Sequence, residues 1–461
     1  MMDYSQRSFW LETCGDDLAP RPALTCSIDL DVAILGGGYT GLWTAYYLLC
    51  TNPDLKVAIL EKEIVGFGAS GRNGGWCSSK FPVTPSMLEQ RYGSERARAL
   101  MLAMNGAVDE VSRFCQSESV DAHFHKGGIL TLARGEHHLP MIRASFDAYT
   151  RLGLGDQYQL LSAEEVEERV RVTKVCGGLF ALENASLHPG RLVRGLARAI
   201  EKRGGTIYEK TAITGFKGGS SPALLASAGE IRAKRAIVLA GESYLTQLPP
   251  LHRVVLPVYS LIVLTEPLTE KHWNAIGWRN RESVASCNYT VDYLTRTADG
   301  RILFGSRGAP YRFGSLISDD QELHSQTHLH IEELVAEWFP MLHGIRLTHH
   351  WGGLVGMPRD WMPMVAFDPE TRIATARGYT GQGVSTTNLT GRILAELISG
   401  KRTGLSALPL AERQSPLWEV EPLRWLAGRY MQDGFRRIDQ AGKEGNPMPA
   451  DTPLLKYIGR H

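Results

Sequence analysis

The chain runs Asp31-Val32-Ala33-Ile34-Leu35 and then Gly36-Gly37-Gly38-Tyr39-Thr40-Gly41, and that junction restricts the fold more than any other feature. The apolar run reads as a buried strand. Leu42, Ala45, Tyr46, Leu48 and Leu49 follow at helical spacing, and Lys56 to Glu61 reads as a second strand. Strand, turn, helix and strand within about 30 residues make a βαβ unit. Gly36 permits the tight turn, Gly38 lets a pyrophosphate approach the backbone, and Gly41 lets helix and strand pack closely. The N–H groups of Tyr39 and Thr40 at the helix start face phosphate oxygens. Glu61 ends the second strand, where a carboxylate accepts hydrogen bonds from a ribose diol, and Lys62 follows it. The unit predicts dinucleotide binding and leaves the nicotinamide and flavin cofactors tied.

A second motif separates them. Gly66-Phe67-Gly68-Ala69-Ser70-Gly71-Arg72-Asn73-Gly74-Gly75 holds five glycines in ten residues. Glycine at that density opposes helix. The segment predicts a loop whose backbone lies along an extended ligand. Ser70 and Arg72 can reach phosphate oxygens, and Asn73 a polyol. FAD is longer than the first turn can hold, and this loop suits its ribityl and flavin half. A third motif, Gly378-Tyr379-Thr380-Gly381-Gln382-Gly383-Val384-Ser385, again joins a strand to a helix. A helix start aimed at the flavin would stabilise negative charge there.

Between these motifs the pattern predicts helices over 86–116, from Pro189 to Gly204, over 326–338 and over 383–399. Strands are expected over 127–133, 206–208, 211–216, 236–240 and 371–376, with mostly strand over 254–305. Ser162 and Glu165 form a capping-box pattern. Residues 1–29 read as an irregular lead-in.

Charge and cysteine usage exclude other classes. Lys and Arg number 50 against 49 Asp and Glu, a net +1, so no basic field for nucleic acid is expected. Seven scattered cysteines without a C-x-x-C pair predict reduced thiols in a cytoplasm. Met1 to Asp17 lacks an apolar run, so no signal peptide is expected. Apolar stretches reach about ten residues, short of the ~20 that span a bilayer, so no integral membrane segment is expected. His137-His138, His328-x-His330 and His349-His350 lack a third ligand at useful spacing, so no metal is expected.

Four stretches resemble the D-amino-acid-oxidase-like superfamily of FAD-dependent oxidoreductases, and most of all its γ-glutamylputrescine oxidoreductase group. They are Val32 to Leu42, Val65 to Trp76, Leu303 to Tyr311 and Gly378 to Gly400. The segment from Trp351-Gly352-Gly353 to Arg359-Asp360 is also similar, and the likeness spans roughly residues 30–400. It implies an α/β fold (α+β overall) of the glutathione-reductase type. A Rossmann-like FAD-binding domain (1–90, 175–250 and 350–400) would be interleaved with a substrate domain on a large mixed β-sheet (91–174 and 251–349). Residues 401–461 would be a C-terminal extension of helix and turn character, packed on the body or on a partner subunit.

The resemblance also implies the chemistry. A C–N bond in an amine, γ-glutamyl-amine or polyamine-like, would be oxidised by hydride transfer to flavin N5. The imine would hydrolyse to an aldehyde, and oxygen or another acceptor would take the electrons. Gly36, Gly38, Gly41 and Glu61 would hold the ADP half. Gly68, Ala69, Ser70, Arg72, Asn73, Gly74 and Gly75 would line the pyrophosphate, ribityl chain and ring. Ile213 would meet adenine, Ala240 and Gly241 would end a strand near the cofactor, and Gly381, Gly383 and Val384 would face the pyrimidine. No residue matches a covalent flavin attachment. Tyr379, Trp351 and Arg307 are the leading substrate-side candidates, with Tyr259, Tyr289, Tyr293 and Tyr311 behind them. Two other readings stay open. One is an N-methyl or D-amino-acid oxidase or dehydrogenase with Arg307 on the substrate carboxylate. The other is a flavin-bound assembly subunit without turnover. A homo-oligomer is compatible with each.

Overall fold

A computed structural model describes residues 2–309 and 311–459. Pro310, in the stretch Leu303 to Tyr311, lies outside the described residues. So do Met1 of the first cofactor segment and Arg460 and His461 of the extension.

Two eight-stranded sheets carry the fold. At the centre of the first is Ile28–Leu35, with Val57–Leu60 and Gly229–Leu239 parallel on either side. Thr206–Tyr208 and Ile373–Arg377 extend it in parallel, and Met364–Asp368 closes one edge antiparallel. Ala223–Ala226 and Ile213–Lys217 attach as an antiparallel pair. Strands covered on both faces carry unbroken apolar runs, and Val57-Ala58-Ile59-Leu60 is accordingly buried throughout.

The second sheet runs in the order Leu347–Met357, Leu256–Thr265, Ile302–Ala309, Asp292–Arg296, Ser283–Ser286, Ile129–Ala133, Gly177–Ala181 and Tyr158–Leu161. Its pairs are antiparallel except Ser283–Ser286 with Ile129–Ala133. This is the large mixed sheet expected of the fold. Gly177–Ala181 and Leu347–Met357 pair within it, although the segments 175–250 and 350–400 put most of these residues with the cofactor.

The helix Tyr39–Thr51 leaves the end of Ile28–Leu35, and Gly383–Ile398 leaves the end of Ile373–Arg377. The two helices touch: a Cβ on Gly391 would lie 2.6 Å from the Trp43 Cβ. Both glycine turns lie at the carboxyl ends of parallel strands of the first sheet, with Gly229–Leu239 between them, where open α/β sheets bind ligands.

Three local expectations change. The helix over 86–116 is two, Pro85–Tyr92 and Ser94–Ser117, because Gly93 between them adopts φ 82°. The lead-in contains a turn of helix, Phe9–Glu12, which buries Phe9, Trp10 and Leu11. A helix over Leu139–Arg151 had no counterpart in the sequence reading. The capping box is present with both of its hydrogen bonds, Ser162 Oγ accepting from the Glu165 N–H and Glu165 from the Ser162 N–H. All seven cysteines are free thiols. No described helix is long and apolar enough to cross a membrane.

Candidate active site

The first glycine turn is built by close approach. Gly36 sits at φ 107°, and a Cβ there would lie 2.8 Å from the Ala240 carbonyl oxygen. A Cβ on Gly41 would lie 2.2 Å from the Gly36 oxygen. The helix opening at Tyr39 has Gly38 as its cap and no side-chain cap bond. Ser70 Oγ instead accepts from the Tyr39 N–H at 2.9 Å. Glu61 accepts from the Gly37 and Glu63 N–H groups, each at 2.8 Å. Burial raises its carboxyl pKa, and these two donors oppose the rise. The Thr211 N–H donates to the Glu61 carbonyl at 2.8 Å, which brings Ile213 on the next strand alongside. Ala240 donates to the Leu35 carbonyl at 2.9 Å, and Gly241 packs on Leu35. Lys62 is exposed at the rim.

The loop at 66–75 is clamped by protein on several sides. Asn73 Nδ2 donates to the Ala69 and Ser70 carbonyls, each at 3.1 Å, and its Oδ1 accepts from the Gly75 N–H at 2.8 Å. The asparagine therefore folds the loop rather than reaching a polyol. Arg72 departs from expectation too. Its guanidinium is fully buried, 2.5 Å from the Glu322 carboxylate and 2.9 Å from the Tyr244 hydroxyl, and it lies over the Phe67 ring. Burial works against its charge, and Tyr244 and Glu322 more than restore it. A buried cation requires such a partner, and Glu322 occupies the place that a phosphate was expected to take. Gly74 approaches the Tyr293 ring and Gly75 the Leu187 carbonyl too tightly for ordinary side chains, and Gly68 lies close to the Tyr244 ring.

Three further donors hold the same loop. Ser8 Oγ donates to the Gly71 carbonyl at 2.8 Å and Trp10 Nε1 to Asn73 at 2.7 Å. Trp351 Nε1 donates to the Arg72 carbonyl at 2.9 Å. Trp351 is buried with Phe9, Trp10 and Leu303, so it supports the loop and offers no face to a substrate. Only the aromatic pair Phe9-Trp10 signals the role of the lead-in from sequence.

At the second turn Gly381 has φ 87° and Thr380 φ 53°. The helix Gly383–Ile398 starts from Gln382 without a side-chain cap, with Val384 buried in its first turn. The Tyr379 hydroxyl lies 2.9 Å from Thr40 Oγ1 and 3.1 Å from Thr390 Oγ1. It ties the two turn-bearing helices together and is buried between them, a packing contact in place of the substrate-side one expected of it. Glu242, which carries no signal in the sequence, accepts from the Gly378 and Tyr379 N–H groups at 3.2–3.3 Å. Burial pushes its carboxyl up to about 7 against those donors.

Arg307, the third substrate-side candidate, stands on a cavity wall. Its Nη2 donates to the Thr380 carbonyl at 2.9 Å, and it lines a cavity of about 120 Å³ with Tyr259, Tyr289, Tyr311, Met357 and Trp361. Burial lowers its pKa, and Tyr293 opposes that. Arg307 is the one charged residue among the described lining residues. Tyr293 lies elsewhere, beneath Gly74 and bonded to Ser260 Oγ at 2.9 Å. Gly428, Met431, Gln432 and Phe435 of the helix Leu423–Glu444 form one side of the wall. His349 and His350 pair separately with Glu12 and Glu332, each at 2.8 Å.

These residues fit FAD. A helix start that opens on glycine, with Ser70 Oγ on its first N–H, suits a pyrophosphate, and the Glu61 carboxylate keeps lone pairs for a ribose. The second start, uncapped and beside Arg307, suits the electron-rich end of the flavin.

Known proteins agree. The family model described as FAD dependent oxidoreductase (DAO) matches residues 31–397. The chain is 32% identical over 396 residues to Gamma-glutamylputrescine oxidoreductase of Escherichia coli (strain K12), covering 85% of this chain and 89% of that protein. It is 25% identical to Glycine oxidase of Geobacillus kaustophilus (strain HTA426), covering 83% of this chain and 96% of that protein. The crystal structure of glycine oxidase from Geobacillus kaustophilus superposes with TM-score 0.67 at 21% identity, over 84% of this chain and 99% of that one. L-proline dehydrogenase from P. horikoshii gives TM-score 0.67 at 19% identity, over 85% and 96%. The structural likenesses establish the fold.

Proposed function

This chain belongs to the DAO family of FAD-dependent oxidoreductases, enzymes of amine and amino-acid type, and we propose that it oxidises a C–N bond in an amine that also carries a carboxylate. A γ-glutamyl amine or an N-substituted amino acid meets that description. The observation that carries the proposal is Arg307, the one charged group among the described residues of an otherwise uncharged, largely aromatic and apolar wall. A free polyamine is polycationic and needs acidic partners, and none lines this cavity among the described residues.

When bound, FAD supplies the two-electron acceptor. The chain's own residues do the rest by positioning. Arg307 pairs with the substrate carboxylate while its Nη2 rests on Thr380, which fixes the distance from carboxylate to cofactor turn. Tyr259, Met357 and Trp361 exclude water from the reacting carbon. No side-chain base is required, since the amine reacts in its neutral form. Trp351, Arg72 and Asn73 act one layer away, as positioning residues for the loop 66–75, and Tyr379 does the same for the two helices.

We assign 1–90, 175–250 and 350–400 to the cofactor domain and 91–174 and 251–349 to the substrate domain. The first sheet supports this division, and the strands 177–181 and 347–357, which pair in the second sheet, cross it. Anaerobic mixing tests the substrate reading. Bleaching of the bound flavin is expected with carboxylate-bearing secondary amines and not with putrescine or other simple diamines. Equal bleaching by both would overturn it. Readmitting oxygen and timing reoxidation then distinguishes oxygen from another acceptor.

A further inference from the structure

The family match ends at residue 397, yet the helix Leu423–Glu444 completes the cavity. Its lining residues Gly428, Met431, Gln432 and Phe435 are spaced i, i+3, i+4 and i+7, one face of a helix. The helix is fastened at both ends. At its start Glu421 accepts from the Tyr311 hydroxyl at 2.8 Å and from the Gly314 and Trp425 N–H groups, each at 3.0 Å. Just before it, buried Trp418 donates from Nε1 to the Met357 carbonyl at 2.7 Å. Farther along, Phe435 stacks on Tyr289, with ring centroids 5.6 Å apart. One turn later Asp439 accepts from the Tyr289 and Thr290 N–H groups at 2.9 Å and from Thr290 Oγ1 at 2.7 Å. Loop and helix therefore close the cavity as one unit.

Gly428 occupies the position where space matters most. A Cβ there would lie 3.7 Å from both Leu256 and Tyr311, an ordinary contact. Sterics within the protein would accept a methyl, so the effect of glycine here is to leave volume in the cavity.

We infer that this C-terminal helix is the size filter of the enzyme. Gly428, Met431 and Phe435 set how long an apolar substituent the carboxylate-bearing substrate can carry. The inference rests on the reading of the cavity as the substrate site.

Two substitutions act in opposite directions. Phe435→Ala enlarges the cavity and Gly428→Ala narrows it. The probe is the series of straight-chain carboxylates from acetate to octanoate, titrated into the holoenzyme and followed by the perturbation of flavin absorbance. Flavin content and melting temperature confirm that each variant is folded. One methylene at a fitted wall changes affinity by about tenfold. Phe435→Ala is expected to shift the best-bound length upward, and Gly428→Ala to shift it downward by about one methylene. The same length order in both folded variants as in the wild type would overturn the inference. A parallel series of straight-chain amides isolates the carboxylate reading. If amides bind as well as acids and Arg307→Ala changes neither, the Arg307 reading fails, while a length shift in the Phe435 and Gly428 variants still stands.

Discussion

Arg307 donates from Nη2 to the carbonyl of Thr380 at 2.9 Å, and Thr380 sits at φ 53°, in the left-handed region. A non-glycine residue costs about 1 kcal/mol or more in that region, so the cation that faces the cavity also holds the strained turn at 378–381. Truncating one member of a buried charged pair costs about 2–5 kcal/mol. Arg307→Ala is expected to lower kcat/KM for carboxylate-bearing amines by about 30-fold or more. The matching neutral amides should change little. Stopped-flow reduction with paired acid and amide substrates measures both, and equal losses for the two would remove Arg307 from carboxylate recognition.

Gly41→Ala tests the first turn. The added methyl would lie 2.2 Å from the Gly36 carbonyl oxygen, and a backbone atom in a tight turn cannot swing aside. Overpacking costs about 1–3 kcal/mol where neighbours can adjust, and here the turn itself must open. The variant is expected to purify without flavin or to be insoluble. The ratio of flavin to protein absorbance reads the result, and full occupancy would show that the turn does not carry the pyrophosphate.

The readable parts of this fold are those whose physics is local. Gly36 and Gly41 announce themselves through the turn's own geometry, Gly36 by its φ of 107° and Gly41 by its approach to the Gly36 carbonyl. The strand Val57–Leu60 is legible for the same reason, as a short apolar run buried on both faces. Arg72 and Asn73 sit in an equally visible loop, but their roles depend on Glu322, Tyr244 and the loop's own carbonyls. Nothing adjacent in sequence reveals a carboxylate 250 residues away. The cavity wall at Gly428, Met431 and Phe435 has a helical period that fits any packed helix, and only the tertiary structure says what it packs against. Glu242 was passed over because one acidic residue after a glycine carries no signal until the turn at 378–379 folds onto it.

Tyr379→Phe separates a positioning role from a catalytic one. The hydroxyl bridges Thr40 and Thr390, and its loss removes hydrogen bonds worth about 0.5–1.5 kcal/mol each. The melting temperature should fall by a few degrees, since ~1 kcal/mol corresponds to about 2–4 °C in a domain of ~150–250 residues. Reduction by amine substrate should keep its kcat and KM within about twofold, because the hydroxyl faces the helices. A large fall in kcat with unchanged melting would return Tyr379 to the substrate side.

Glu242 gives the pH dependence. Its carboxyl is raised from 4.5 to about 7, chiefly by burial, and the Gly378 and Tyr379 N–H groups oppose the rise. Between those two values the folded protein holds a proton at this site that the unfolded chain has released. Stability therefore falls with rising pH across that window. The contribution is complete below pH 4.5 and gone once the pH has passed about 7. Glu242→Gln cannot titrate, and its carbonyl oxygen can still accept from Gly378. Other groups contribute slopes of either sign, but they are common to both proteins. The difference in melting temperature, variant minus wild type, isolates position 242. It is expected to grow as pH rises from 4.5 to 7 and then level off. Curves that run parallel across that range would mean that the carboxyl beside the second glycine turn is already ionised in the folded enzyme.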